Sequence, residues 1–106
     1  MCGGEVLTVP CSRVAHAFKP HLPYSFKGAP ADVVTRNLVR VAAVWMDDFS
    51  KYYYAQLKAV PSAEEVGSLL LRKQLRRDLK CKSFEWYLQN VTPELQLPPE
   101  NVTFFG

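Results

Sequence analysis

Residues 32–54 have the sequence DVVTRNLVRVAAVWMDDFSKYYY, in which large apolar side chains recur every three or four positions. This spacing places them on one side of an α-helix, because the helix repeats every 3.6 residues. Asp32 is a suitable N-cap. We therefore predict one long helix from Asp32 to about Tyr54, with an apolar stripe that faces a core and a charged opposite face. The stripe comprises Val34, Leu38, Val41, Trp45, Phe49 and Tyr52, and the charged face carries Arg36, Arg40, Asp47 and Lys51.

Two further helices are predicted downstream of this segment. Pro61 ends the intervening stretch, and residues 62–65 have the serine-to-glutamate spacing of a capping box. We expect a second helix to run from there to about Leu79, and a third, short helix to start at Ser83. The residues available for burial are Val66, Leu69, Leu70 and Leu75 in the second helix and Trp86 in the third.

The N-terminal segment has a different pattern. Residues 5–9, EVLTV, alternate in polarity with the period of a β-strand, and Pro10 ends the alternation. A single strand makes no sheet, so it has to pair with protein outside this chain, or the chain derives from a larger protein. We therefore predict an α/β protein with one N-terminal strand, a loop and about three helices.

The loop over residues 16–30 is the segment most suggestive of function. It contains three prolines and the aromatic residues Phe18, Tyr24 and Phe26, and loops carry functional residues more often than helices do. His16, at its start, is a candidate metal ligand or general base. An ordinary hydrogen-bonded histidine is the favoured interpretation from the residues alone. His21 adds little, because nothing directs the two rings to one point.

The charged residues of the chain have simple explanations. The 106 residues carry a net charge of +3, with 48% apolar residues, which suits one small folded domain. A cluster of cations lies near the end of the predicted second helix. We interpret these cations as solvated side chains that interact with the helix dipole, and we prefer this interpretation to a nucleic-acid-binding surface. Asp47 and Asp48 point about 100° apart on a helix, so we do not expect them to share one ion. The cationic cluster comprises Arg72, Lys73, Arg76, Arg77, Lys80 and Lys82.

The cysteines and glycosylation sequons give weaker signals. Cys2, Cys11 and Cys81 include no Cys-x-x-Cys pair, which argues against a zinc site. Two Asn-x-Thr sequons, at Asn90 and Asn101, weakly favour a protein exposed to the secretory lumen. No apolar run approaches the roughly 20 residues of a membrane span.

Several ordered blocks resemble the polypeptide N-acetylgalactosaminyltransferases. They occur in the family's order and at matching distances over essentially the whole chain. The blocks are Met1-Cys2-Gly3-Gly4, Pro10-Cys11-Ser12-Arg13-Val14-Ala15-His16, Val44-Trp45-Met46-Asp47-Asp48, Leu79-Lys80-Cys81-Lys82-Ser83-Phe84, Trp86-Tyr87-Leu88 and Pro93-Glu94-Leu95.

The resemblance implies a place in a larger fold. Residues 1–97 match the C-terminal part of a GT-A-type catalytic domain, and residues 98–106 match the start of a linker toward a lectin domain. Such enzymes retain anomeric configuration while they move N-acetylgalactosamine from UDP-GalNAc to Ser or Thr hydroxyls of polypeptides in the Golgi lumen, as type II membrane proteins. We expect this chain alone to be incomplete and inactive, and we expect no nucleic-acid partner.

The resemblance also implies roles for individual residues. His16 matches a histidine that binds Mn²⁺ together with an Asp-x-His motif that this chain lacks. Lys19 matches a position that contacts the donor diphosphate. Phe18 and Tyr24 match aromatic positions of a mobile lid that shapes the donor and acceptor pocket. Imidazole suits a transition ion such as Mn²⁺ better than it suits Mg²⁺.

The lid segment departs from the family pattern. Ala15 replaces a usual glycine, Lys19 replaces a common arginine, and Leu22 occupies the position of a common histidine. Lysine offers diphosphate a point charge where arginine binds through two hydrogen bonds. These departures support an alternative function, a catalytically dead relative that acts as an interaction or regulatory protein.

The resemblance finally assigns the cysteines. It implies a disulfide between Cys2 and Cys81, which would join the start of the chain to its last helix. Cys11 would pair with a cysteine in an N-terminal part that this sequence does not contain.

Overall fold

The computed structural model of the chain describes residues 1–18, 25 and 28–99, and these residues form five α-helices. A short 3₁₀ turn separates the first two helices. The helices are α1 (Pro30–Trp45), α2 (Ser50–Tyr54), α3 (Ala63–Val66), α4 (Leu70–Asp78) and α5 (Phe84–Asn90), and the 3₁₀ turn spans Asp47–Phe49. Within the described residues no helix is long and apolar enough to span a membrane.

The predicted N-terminal strand is wrong for this chain, and the described part is helical rather than α/β. Residues 5–9 are assigned no strand, and Val6 is 100% exposed. The physical reason is that a strand exists only as part of a ladder, and no described segment lies beside these residues as a partner. Residues 5–9 alternate in polarity, but they form no strand in the described structure.

The predicted long helix is broken into two. Helix α1 begins at Pro30, a residue favoured at the first helical position, so Ala29 rather than Asp32 is its N-cap. The helix ends at Trp45, and Asp47 follows with a φ of +47°. A positive φ interrupts a right-handed helix, and aspartate tolerates it better than most residues. The α-helical conformation resumes in α2, at Ser50. The prediction of one continuous helix to Tyr54 was therefore wrong.

The predicted second helix is also divided. The capping box is confirmed, because the Ser62 hydroxyl accepts a hydrogen bond from the Glu65 amide and the Glu65 carboxylate accepts one from the Ser62 amide at 2.7 Å. Helix α3 nevertheless ends after one turn, at Gly67. That glycine has φ +73° and ψ −179°, a conformation that is almost exclusive to glycine. Helix α4 starts three residues later.

The third predicted helix is confirmed with its predicted start. Ser83 is the N-cap of α5, and its hydroxyl accepts a hydrogen bond from the Trp86 amide at 3.1 Å. Trp86 and Trp45, both expected in the core, are half-buried. Each lies near a cation, Lys82 and Arg76 respectively.

The predicted stripe is only partly packed, because Trp45, Phe49 and Tyr52 are half-buried but its first three residues are not. Val39 and Ala42 are buried, whereas Val34, Leu38 and Val41 are each about half exposed. The charged face also makes contact, through the arginine side chains that reach the end of α3. Arg40 donates hydrogen bonds to the carbonyls of Val66 at 2.6 Å and Ser68 at 3.2 Å, and Arg36 donates to the carbonyl of Glu65.

We predict that Gly67→Ala weakens the junction of α3 and α4. A Cβ at this position would lie 3.3 Å from the flexible end of Arg36, so the larger cost comes from the backbone conformation, about 1–3 kcal/mol. Hydrogen exchange of the Val66 amide in the full-length natural polypeptide should accelerate by roughly tenfold or more. Gly4→Ala is the control, because a Cβ there meets nothing within 4 Å. Equal exchange rates in both variants would contradict the prediction.

Candidate functional site

The most heavily bonded side chains of the described structure are Asp47 and Arg76. The guanidinium of Arg76 donates one hydrogen bond to each carboxylate oxygen of Asp47, at 2.6 and 2.9 Å. It also donates to the carbonyl of Val44 at 2.6 Å, near the end of α1. A two-point pairing of this kind fixes both distance and orientation. The pair therefore joins the end of α1 to the last turn of α4.

The same carboxylate holds the start of α5. The Phe84 amide donates a hydrogen bond to Asp47 Oδ2 at 2.8 Å. The hydrogen bonds from Arg76 are the main reason that the pKa of Asp47 lies below its ordinary value, and the Phe84 amide adds to the effect while partial burial opposes it. The pKa of Arg76 is raised by the same partner. Aromatic rings of Phe49, Phe84 and Tyr87 pack beside this junction at 5.5–5.7 Å between neighbouring ring centres.

The sequence alone does not predict this junction. The apolar periodicity puts Asp47 on a charged helix face and Arg76 among solvated cations, but the Arg76 side chain is only 18% exposed. The positive φ of Asp47 turns its carboxylate away from the direction that a continuous helix would give it. The sequence carries no diagnostic signal for this junction, because an Asp on the charged side of an apolar helix stripe is common.

The disulfide implied by the resemblance is present. Cys2 and Cys81 are bonded and close a loop with a sequence separation of 79 residues. The Lys82 amide also donates a hydrogen bond to the Met1 carbonyl at 2.9 Å. Cross-linking a loop of this length stabilises by about 4 kcal/mol in the chain-entropy model. The start of the chain is therefore tied directly to the turn between α4 and α5.

The predicted metal ligand, His16, lies on an exposed segment. Its ring meets that of Phe18 edge-on, with 4.5 Å between ring centres and an interplanar angle of 62°. Within the described residues, no group of three His, Cys, Asp or Glu side chains is arranged to hold a metal ion. His16 could supply one imidazole nitrogen, and any further ligands would have to come from elsewhere.

Several predicted site residues lie outside the described residues. These are Lys19 and Tyr24, together with most of the predicted lid loop and the second sequon, at Asn101. Cys11 is exposed and is a free cysteine here, so its expected pairing with a cysteine outside the chain is not supported by the structure. The boundary between residues 97 and 98 also stays a prediction.

No family model matches the chain. Individual relatives do, over nearly its whole length. Polypeptide N-acetylgalactosaminyltransferase 5 of Mus musculus is 48% identical over 99 residues, which cover 92% of this chain and 11% of the relative. Polypeptide N-acetylgalactosaminyltransferase 14 of Homo sapiens is 47% identical over 95% of this chain and 18% of the relative. Polypeptide N-acetylgalactosaminyltransferase 5 of Caenorhabditis elegans is 45% identical over 96% of this chain and 16% of the relative.

The chain is therefore homologous to one segment of the polypeptide N-acetylgalactosaminyltransferases, which confirms the predicted resemblance. The names of the relatives also confirm that the family is one of glycosyl-transferring enzymes. The chain spans between 11% and 18% of the length of these curated relatives.

We predict that Asp47→Asn in the full-length natural polypeptide loosens the junction of α1, α4 and α5. Asparagine tolerates the positive φ and can still accept one hydrogen bond, but it loses the charge. Because Asp47 is 37% exposed, we expect a cost of about 1–2 kcal/mol, below the upper range for charged hydrogen bonds. Hydrogen exchange of the Phe84 amide should accelerate by roughly tenfold. Asp48→Asn is the matched control, since Asp48 is exposed.

The pH dependence of the junction has a definite sign. The pKa of Asp47 is lowered in the folded protein from an ordinary value of 3.8. Its contribution is therefore complete above that value and is lost as the pH falls through the folded pKa. Protection of the Phe84 amide should decline only at acidic pH in the native protein. Asp47→Asn should lack this decline, and an unchanged acid response in that variant would contradict the assignment.

Proposed function

We propose that this chain forms the C-terminal part of the catalytic domain of a retaining polypeptide N-acetylgalactosaminyltransferase. In this proposal the whole protein uses Mn²⁺ to move N-acetylgalactosamine from UDP-GalNAc to Ser or Thr hydroxyls of acceptor polypeptides in the Golgi lumen. The observation that carries the proposal is 45–48% identity to named transferases across more than nine-tenths of the chain. The described structure adds three physical arguments.

The chain exposes more surface than a compact domain of its mass does. The chain has an accessible surface of 9302 Å², whereas a compact monomer of 12.0 kDa exposes about 6000 Å². Its radius of gyration is 17.1 Å, against about 13 Å for a compact domain of this length. Only four apolar residues of the described part are buried, Val39, Ala42, Val44 and Val66. So small a core favours a segment that folds against other protein.

The first three residues of the apolar stripe of α1 are exposed. Val34, Leu38 and Val41 are 53%, 47% and 52% exposed and lie along one side of the helix. Contact between α1 and α3 already uses the arginine face of the same helix. A helix with one face packed and an apolar second face exposed is typical of a layer between two others. We infer that the stripe packs on the preceding part of the catalytic domain.

The side chain of His16 has the chemistry of a metal ligand. An exposed imidazole is a suitable single ligand for a first-row transition ion. Its edge-on contact with Phe18 restricts the ring orientation. When bound, Mn²⁺ would neutralise negative charge on the leaving UDP diphosphate. In this proposal His16 binds the metal ion and fixes its position. Lys19 adds a positive charge to the diphosphate site, and Phe18 and Tyr24 exclude water from that site.

We predict that His16→Ala in the full-length natural polypeptide lowers sugar transfer by about 100-fold or more. Loss of residues that only support a metal ligand costs 10–100-fold, so loss of a ligand costs at least as much. The apparent affinity for Mn²⁺ should fall in the same variant. The matched control is His21→Ala, the other histidine of the chain, which should retain both transfer and metal affinity.

Two outcomes would count against this proposal in different ways. Equal activity of His16→Ala and the natural sequence would overturn the metal-ligand role. A natural sequence that neither transfers nor hydrolyses UDP-GalNAc with Mn²⁺ present would favour the alternative, a catalytically dead relative that retains the fold for interaction or regulation.

We also predict that the isolated 106-residue chain has no transferase activity and no cooperative thermal transition. The excess of exposed surface leaves too little burial to offset the chain entropy of folding. Differential scanning calorimetry of the monomeric, disulfide-bonded chain should give a broad, weak signal. A sharp transition in the monomer would show that the chain is an independent domain.

A further inference from the structure

A groove lies between the end of α1 and the last turns of α4, on the side of the Asp47–Arg76 pair. Its volume is about 600 Å³. Half of its lining residues are cations, and one is a carboxylate. The lining comprises Ala43, Val44, Asp47, Lys73, Arg76, Arg77, Lys80 and Cys81.

The charges of the groove do not cancel. Asp47 is paired with Arg76, so these two contribute no net charge. Lys73, Arg77 and Lys80 are exposed and have no ion-pair partner within the described part of the chain. Two helix ends approach the groove, and each carries the equivalent of roughly −0.5 charge. The three unpaired cations and the charge of about −1 from the two helix ends give the groove a net charge of about +2. The cations therefore exceed the number needed to offset the helix dipoles.

The backbone conformation of Lys80 is unusual for a lysine, and this observation is independent of the charge of the groove. Helix α4 ends in a Schellman motif, in which the Lys80 amide bonds to the Arg77 carbonyl at 2.8 Å and the Cys81 amide bonds to the Arg76 carbonyl at 3.1 Å. Lys80 is the left-handed residue of this motif, with a φ of +50°, a position that glycine normally occupies. A lysine there is strained, and strain of this kind concentrates at functional positions. The disulfide at Cys81 fixes the neighbouring wall.

We propose that this groove binds a tetrahedral dianion, a phosphate or sulfate group. Arg77 can hold two oxygens of such a group through paired hydrogen bonds, and the two lysines add point charges. No aromatic residue lines the groove, so it offers no stacking surface for a nucleobase or a sugar ring. His16 does not line the groove, and the proposal does not depend on the proposed transferase function.

The test is calorimetric titration of the full-length natural polypeptide with inorganic phosphate and, separately, with inorganic sulfate. Divalent metals are first removed by passage over a chelating resin, so that binding through a metal does not contribute and no soluble chelator competes for the cationic groove. We expect a dissociation constant on the order of 1 mM. Sulfate stays a dianion from pH 6 to 8, whereas phosphate is partly a monoanion at pH 6. If phosphate affinity falls at pH 6 while sulfate affinity does not, the charge of the anion determines its affinity for the groove.

Variants locate the site. Arg77→Gln should raise the dissociation constant at least tenfold for both anions. Arg72→Gln is the matched control, because it removes the same charge from the same helix but does not line the groove. Equal weakening by both variants, or no measurable binding by the natural sequence, would overturn the proposal.

Lys80→Gly separates binding from folding. Glycine relieves the positive φ, so we expect the unfolding temperature to rise while the affinity for either anion falls. A variant that is both more stable and weaker in binding cannot owe its weaker binding to misfolding. Unchanged anion affinity in Lys80→Gly would overturn the role of the lysine and with it the proposed site.

Discussion

The paired hydrogen bonds between Arg76 and Asp47 are the constraint on which the described structure depends. They join the end of α1 to α4, and the same carboxylate receives the first amide of α5. One ion pair thus links three helices that bury little apolar surface, together with the bond from Arg76 to the Val44 carbonyl and the packing of Phe49 on Phe84. The pair lies at a partly exposed position, so its energy is modest, but its two-point geometry fixes the relative orientation of the two side chains. The Cys2–Cys81 disulfide then anchors the chain start at the adjacent turn.

This arrangement suits a segment that completes a larger domain. An independent domain of this length would rely on a larger hydrophobic core, whereas here only four apolar residues of the described part are buried and Val34, Leu38 and Val41 of α1 are about half exposed. Hydrogen bonds from arginine side chains supplement this small core, and apolar area remains available for burial on the outside of the segment. We infer that the hydrophobic free energy of folding is gained mainly against the rest of the proposed catalytic domain. In that setting the segment would present His16 at a fixed place relative to the other metal ligands.

The sequence predicted local features better than packing. Local signals depend on residues a few positions apart, so the capping box at Ser62 and the start of the third helix at Ser83 were correctly predicted, although Ala29 and not Asp32 is the N-cap of α1. The breaks at Asp47 and Gly67 were missed because apolar periodicity continues through both, and only the backbone conformation interrupts the helices. The predicted packing of the apolar stripe was only partly correct, since periodicity identifies an apolar side without identifying its partner. The disulfide was predicted through family resemblance, which supplies the long-range information that periodicity lacks.

The proposed transferase role is tested most directly at the metal ion itself. Electron spin echo spectroscopy of Mn²⁺ bound with UDP to the full-length natural polypeptide detects imidazole nitrogens that coordinate the ion. Our account predicts such coupling in the natural sequence and the loss of one coordinated imidazole when His16 is replaced by alanine. An identical nitrogen signal in the two proteins would contradict it, because His16 would then not be a ligand.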